Sequence, residues 1–193
     1  MRKNVNVSIF AVLSFILLWV ITASFMLNLW PSIHSASKWK AITHEEYNFT
    51  IEYPAKWRVQ KYGDSGCKGE REVKLLLYPN WMSNTYVEVL VKSMDEPTLS
   101  DVVNWSEDRL RLYRYNATIR GDNSFRESAL LEMVLHGQPV IQRKYELMSN
   151  SYEEVYIARS SDMIIIRLQS PCDEFPAKEE IFHKIVESFR PLK

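Results

Sequence analysis

The first part of the chain is apolar on every helical face. Residues 7–30 contain no charged side chain, and as a helix they would be about 36 Å long, enough for a hydrocarbon core of about 30 Å. They are predicted to cross the lipid bilayer as a single-pass signal anchor. Arg2 and Lys3 favour a cytoplasmic location for residues 1–6 and an extracytoplasmic C-terminal domain at the cell membrane. A cleaved signal peptide, which has a shorter apolar region, is the alternative.

The pattern changes after the predicted anchor. Residues 31–46 mix Pro, Ser, His and charged residues without periodicity and are predicted to be a tether. Val73–Tyr78 and Tyr86–Lys92 alternate in polarity, which predicts two neighbouring antiparallel strands. The run Met163–Ile166 is apolar on both faces and is typical of a central strand covered on both sides. The other predicted strands are Asn48–Tyr53, Trp57–Tyr62, Ser128–Leu135, Val140–Leu147 and Glu153–Ala158.

Two segments have helical periodicity. Thr98 with Asp101 is close to a capping box, and it predicts a helix that runs to about Tyr115. A second helix is predicted from Pro176, with an apolar stripe that ends before Pro191. Strands, a helix, more strands and a final helix indicate an α+β fold in which helices pack on an antiparallel β-sheet.

Several short motifs resemble those of one known family. Residues 49–57 resemble the F-x-x-x-Y-P-x-x-W opening of PsbP-like domains, the fold named after the extrinsic PsbP protein of photosystem II. Further similarity lies in a hairpin turn and in the closing helix. The motif residues are Phe49, Tyr53, Pro54, Trp57, Gly137, Pro139, Phe182 and Phe189. The resemblance implies a PsbP-like α/β/α sandwich over residues 47–193, used for docking onto other proteins and not for catalysis.

The balance of charges excludes one class of partner. The 24 Lys and Arg residues balance the 24 Asp and Glu residues, so the chain lacks the positive excess that drives binding to phosphate backbones. No nucleic-acid partner is therefore expected.

Cys67 and Cys172 make an even count, which in an exported domain permits one disulfide bond. Two free thiols remain the other possibility.

Motifs for catalysis or metal binding are missing from the sequence. The four histidines, His34, His44, His136 and His183, form no zinc spacing, and no nucleophile elbow or phosphate loop is present. No catalytic residue, cofactor or metal ligand is predicted. Acidic pairs are interpreted as solvated edges or first-turn acids. These pairs are Asp95-Glu96, Glu107-Asp108, Glu153-Glu154, Asp173-Glu174 and Glu179-Glu180.

Three functional hypotheses follow. The first is a non-enzymatic docking or assembly module that binds a membrane or envelope protein complex from the outer face of a membrane. The second is an extracytoplasmic sensor of a small ligand or a metal, for which the cluster Asp173, Glu174 and Glu179 offers oxygen ligands without the regular spacing of a calcium loop. A hydrolase is the third, and no nucleophile–base spacing supports it.

Overall fold

The computed structural model describes residues 38–62 and 73–192. The predictions for residues 1–37 and for Cys67 lie outside these ranges. Within the described part, no helix has both the length and the apolar character needed to cross a bilayer.

The main sheet contains eight antiparallel strands among the described residues. One side of it is formed by β3 (Arg58–Lys61), β4 (Val73–Tyr78) and β5 (Tyr86–Ser93). The other strands are β6 (Arg126–Glu127), β7 (Leu131–Leu135), β8 (Gln138–Leu147), β9 (Asn150–Ala158) and β10 (Asp162–Pro171). Their order in the sheet is β3-β4-β5-β10-β9-β8-β6, with β7 also paired to β8. The predicted pairing of β4 with β5 is confirmed.

Strand β10 is central, as its sequence predicts. It lies between β5 and β9, and alternate side chains enter two separate cores. Ile164 and Ile166 belong to one apolar cluster, whereas Met163 and Ile165 belong to the other. All four are fully buried, because β-branched and apolar side chains pack well on both faces of a covered sheet.

Two helices cover the opposite faces of this sheet. Helix α1 (Leu99–Ile119) begins with a complete capping box between Thr98 and Asp101 and continues one turn beyond the predicted end. It contributes Val102 to the cluster around Ile165. Helix α2 (Phe175–Ser188) supplies the predicted apolar stripe to the other cluster. The result is an α+β sandwich with the sheet as its middle layer.

A second, three-stranded sheet lies beside α2. It contains β1 (Trp39–His44), β2 (Phe49–Pro54) and β11 (Arg190–Pro191), with β2 in the middle. The prediction of an irregular tether over residues 31–46 is therefore wrong for its second half, which contains β1. The sequence of β1 lacks a regular alternation of polar and apolar residues. The strand depends on backbone pairing with β2, on packing of Trp39 and Ile42 against the apolar cluster on the α2 side, and on burial of His44 against Phe49, whose ring centroids are 5.5 Å apart.

The hairpin between β7 and β8 is tighter than predicted. Its turn consists of His136 and Gly137, both with positive φ (52° and 82°), as a two-residue type I′ turn requires. Pro139, predicted in the turn, lies in β8 opposite Val134. Pairing of β8 with β9 starts only at Ile141, so the missing N–H of Pro139 breaks no ladder bond.

The predicted strand Ser128–Leu135 is shorter in the structure, where β7 begins at Leu131. The short strand β6 precedes the predicted segment, residues 128–130 lie between the two strands, and both β6 and β7 pair with β8. β8 and β9 join through Met148 and Ser149, which have positive φ (51° and 66°) without being glycine.

Candidate functional site

The acidic pair Glu153-Glu154, interpreted from sequence as solvated, is fully buried in β9. Successive side chains of a strand point to opposite faces. Glu153 therefore faces the α2 layer, and Glu154 faces the α1 layer. The prediction of solvation is wrong because each carboxylate meets cations from neighbouring elements, which stabilise a buried charge.

On the α1 face, four charged side chains form a ladder across four adjacent strands. Arg143 is in register with Glu154, Glu154 with Arg167, and Arg167 with Glu88. The Nε of Arg167 donates to Glu88 Oε2 at 2.8 Å, and its Nη1 is 3.5 Å from Glu154 Oε1. Burial opposes the charge of Arg167, but these two carboxylates raise the pKa of its guanidinium above the usual value.

Two tyrosine hydroxyls complete the surroundings of Glu154. Tyr145 donates to its Oε1 at 3.1 Å, and Tyr156 donates to its Oε2. Burial, together with the negative charge of Glu154, raises the pKa of both phenols well above the usual range. Both side chains therefore act as neutral donors.

Helix α1 is held onto this face by polar contacts. Arg109 Nη2 lies 3.6 Å from Glu154 Oε1, and its Nε donates to the Tyr113 hydroxyl at 2.7 Å. Ser106 Oγ accepts from Arg143 Nε at 2.9 Å. Every charge of the ladder faces an opposite charge, so the arrangement orients α1 on the sheet.

On the α2 face, Glu153 meets Glu179 and His183. Glu179 and His183 are one helical turn apart on α2, and one ligand atom of each of the three residues lies within 4.8 Å of the others. The Nε2 of His183 is 2.8 Å from Glu153 Oε1 and 4.0 Å from Glu179 Oε1. An imidazole and two carboxylates on a rigid strand and a helix are the donor set of a metal site.

Lys144 borders the same cluster. Its ammonium donates to Glu179, and it lies 3.7 Å from Glu153 Oε2. Burial opposes the charge of Lys144, yet the hydrogen bond to Glu179 and the charge of Glu153 raise its pKa. The cluster therefore contains one permanent cation, and Gln142 adds an amide donor to Glu153.

A cavity of about 400 Å³ opens at another place, between the β9–β10 turn and the C-terminal segment. Arg159 is the cation in its wall. Its Nε and Nη2 donate to Asp162 at 2.6 Å each, and its Nη1 donates to the Tyr47 carbonyl at 2.8 Å. The guanidinium is thus engaged by the protein itself.

Strand β7 is an exposed edge. It pairs with β8, and no second partner strand occurs among residues 38–62 and 73–192. Leu131, Met133 and Val134 are 52%, 41% and 73% exposed. These side chains point to both faces of the strand, so neither face is covered by a core at these positions.

The motif residues lie mainly in one core. Phe49, Phe182 and Phe189 are buried in the α2-side cluster, and the rings of Phe49 and Phe189 are 5.7 Å apart. Tyr53 and Trp57 pack against that cluster. Pro54 is buried, whereas Gly137 and Pro139 are exposed at the β7–β8 hairpin.

The remaining predicted positions are the two cysteines and the acids near the start of α2. Cys172 is exposed, and its proposed partner Cys67 lies outside the described residues, so the disulfide bond stays a prediction. Of the predicted acid cluster, Glu174 accepts from Thr85 at 3.2 Å. Glu179 instead belongs with Glu153 and His183.

Sequence reasoning missed the buried charges Glu153, Glu154 and Arg167. A signal was present for Arg167, which lies between Ile166 and Leu168, and a weaker one for the acidic pair, which lies between Tyr152 and Val155. A charge in such a run predicts a buried partner on the adjacent strand. Which strand is adjacent, however, is decided by sheet order.

Comparison with known proteins agrees with this architecture. A twisted antiparallel sheet between two helices defines the α+β sandwich class. Cyanobacterial PsbP from Synechocystis superposes with a TM-score of 0.61 at 12% identity, over 81% of this chain and 94% of that one. LpqN of Mycobacterium tuberculosis, described as involved in cell envelope biogenesis, has a TM-score of 0.51 at 12% identity, over 81% and 91%. The described residues have a PsbP-like fold.

The likeness is one of structure. No protein-family model matches the chain, and no curated protein matches it in sequence. At 12% identity, the shared fold carries no activity or partner from one protein to the other.

Proposed function

We propose that this chain is a membrane-anchored, extracytoplasmic docking module that binds a membrane or envelope protein complex and catalyses no reaction. The observation that carries this proposal is the open edge of β7. Proteins usually guard such edges with charges or cover them, because an exposed apolar edge pairs with other chains. Leu131, Met133 and Val134 leave β7 largely apolar and uncovered, and Glu132 is the one charged side chain in the strand.

Strand addition is the mode of binding that fits this edge. An extended segment of a partner would hydrogen-bond to the free backbone groups of β7, and its side chains would contact Met133 and Val134. The backbone bonds supply affinity, and the side-chain contacts supply specificity. Because β7 is short, the interface is expected to be weak by itself.

The predicted anchor compensates for a weak interface. Residues 7–30 would hold the domain in the plane of its partner and raise the effective concentration of each for the other. The fold is shared with a mycobacterial protein described as involved in cell envelope biogenesis.

A small-ligand sensor is the alternative function. The cavity of about 400 Å³ is of suitable size for a metabolite. Arg159, its cation, is already bound to Asp162 and to backbone carbonyls, so the docking proposal has the stronger support.

The docking proposal predicts that a charge on β7 abolishes partner binding. The full chain is extracted from membranes with mild detergent and purified with whatever binds to it. A partner should be recovered in stoichiometric amount with the wild type, and Met133→Lys should lower its recovery about tenfold or more, because a desolvated lysine in an interface is costly. Met82→Lys is the matched control, since Met82 is 93% exposed in the β4–β5 loop.

Equal recovery with Met133→Lys and Met82→Lys would contradict docking through β7. Absence of any stoichiometric partner under several growth conditions would contradict the docking function. Recovery of the chain only from the soluble fraction would contradict the anchor.

A further inference from the structure

Glu153 is a buried carboxylate with one unsatisfied oxygen. Its side chain is fully buried, and its Oε1 is the acceptor for Gln142 and the neighbour of His183 Nε2. Its Oε2 has no hydrogen-bond partner among the described residues. The nearest cation, Lys144 Nζ, is 3.7 Å away, too far for a hydrogen bond. A buried lone pair without a donor calls for a partner, which a bound water or an ion would supply.

The other members of the cluster are placed to share that ligand. Glu179 and His183 are at i and i+4 on α2, so both side chains project from the same helical face towards Glu153. Metal–ligand bonds of about 2.0–2.2 Å set ligand atoms roughly 3.0–3.6 Å apart. The observed atoms lie within 4.8 Å of one another, so rotation of Glu179 and His183 suffices.

The three side chains differ in how far they are exposed to solvent. Glu153 is 0% exposed and fixed in β9, whereas the side chains of Glu179 and His183 are 31% and 43% exposed. The partial exposure of Glu179 and His183 leaves the site open to solvent. An ion can therefore enter from outside and keep water in its remaining positions, as an open coordination sphere requires.

We propose that Glu153, Glu179 and His183 bind one divalent transition-metal ion of the zinc class. The imidazole selects such ions over calcium and magnesium, which prefer all-oxygen surroundings. Three protein ligands leave at least one position for water. The ion would join α2 to β9 across the face opposite the Glu154 ladder.

Lys144 is the built-in competitor for this ion. Its ammonium donates to Glu179, so a metal must displace it. The side chain is 35% exposed and can turn into solvent on its flexible stem. Removing its charge should leave two carboxylates without a cation and increase metal affinity.

The proposal predicts a set of affinities for zinc. The full chain is purified in nonionic detergent with Cys67→Ser and Cys172→Ser in every sample, so that no thiolate competes. Zinc binding is measured by calorimetry, and cobalt absorption reports the coordination. One zinc ion should bind per chain. His183→Gln and Glu179→Gln should each weaken binding about tenfold or more, and Lys144→Met should tighten it about threefold or more.

Glu180→Gln is the matched control. Glu180 lies next to Glu179 on α2, is 79% exposed and pairs with Lys184, so its loss removes the same charge without removing a ligand. Binding should be unchanged in this variant, and circular dichroism should show that all the variants fold. No zinc binding at millimolar concentration, or weakening by Glu180→Gln equal to that by Glu179→Gln, would overturn the proposal. Calcium binding as tight as zinc binding would also overturn it.

Discussion

At the scale of single residues, burial changes what a polar side chain does. Glu153 and Glu154 are adjacent in sequence, yet they face different layers and have different partners. Glu154 is enclosed by guanidinium groups and phenols, whereas Glu153 keeps one oxygen without a donor. The first supports the fold, and the second offers a place for an ion. The two neighbouring carboxylates thus have different roles because different charged residues lie on the two faces of the sheet.

The raised pKa of a tyrosine near the ladder predicts that the stability of the fold decreases at high pH. Burial and the nearby Glu88 carboxylate raise the pKa of Tyr86 to about 12. The unfolded phenol ionises near 10, so between pH 10 and 12 the folded chain retains a proton that the unfolded chain loses. Stability should be fully present below pH 10 and should fall as the pH rises through this window.

Tyr86→Phe tests this expectation, because phenylalanine has no proton to lose. Its free energy of unfolding, measured in urea at several pH values, should fall less steeply than that of the wild type between pH 10 and 12. The lysines and the other tyrosines are the same in both proteins, so they cancel in the comparison. Identical slopes would show that the Tyr86 proton does not contribute.

At the scale of elements, α1 is specified at its start by its own sequence. Asp101 N–H donates to Thr98 Oγ1 at 3.2 Å, and Thr98 N–H donates to Asp101 Oδ2 at 2.9 Å. These bonds satisfy two of the N–H groups that a helix start leaves unpaired. The Thr98 hydroxyl, which donates to Asp101 Oδ2 at 2.6 Å, and the Thr98 N–H hold the pKa of the Asp101 carboxyl below its usual value.

Thr98→Ala should therefore lower the free energy of unfolding by about 1 kcal/mol. Thr118→Ala, near the end of the same helix, makes the same chemical change where no N-cap exists. It should alter stability by less than about 0.5 kcal/mol. Urea unfolding of both variants checks the expectation, and equal losses would mean that the cap contributes nothing specific.

At the scale of the whole molecule, the main sheet separates two cores. Ile166 packs towards α2 and Ile165 towards α1, although they are neighbours in β10. The two layers share backbone hydrogen bonds but no side-chain cluster. Defects on opposite faces should then act independently.

Ile165→Val and Ile166→Val test that independence. Each removes one buried methylene group and should lower stability by about 0.5–1.5 kcal/mol. The double variant should lose the sum of the two within about 0.5 kcal/mol. A discrepancy above about 1 kcal/mol in thermal or urea unfolding would show that the layers are coupled through β10.

Much of the fold could be predicted because its signals are local. The capping box of α1, the stripe of α2 and the apolar run of β10 each depend on residues a few positions apart. The missed elements lack such signals. β1 lacks a regular alternation of polar and apolar residues, and the β8–β9 turn at Met148 and Ser149 has no glycine to mark it.

The candidate site could not be predicted from the sequence, because its residues lie far apart along the chain. Arg167 meets Glu88 across 79 residues and Glu153 meets His183 across 30. Neither pair can be inferred from periodicity, because a pattern of period two places a side chain on a face without naming the strand beside it. The alternation of polarity, the helix ends and the apolar lead segment belong to the sequence alone. Only tertiary structure decided which charges meet, since the order of the strands brings them together.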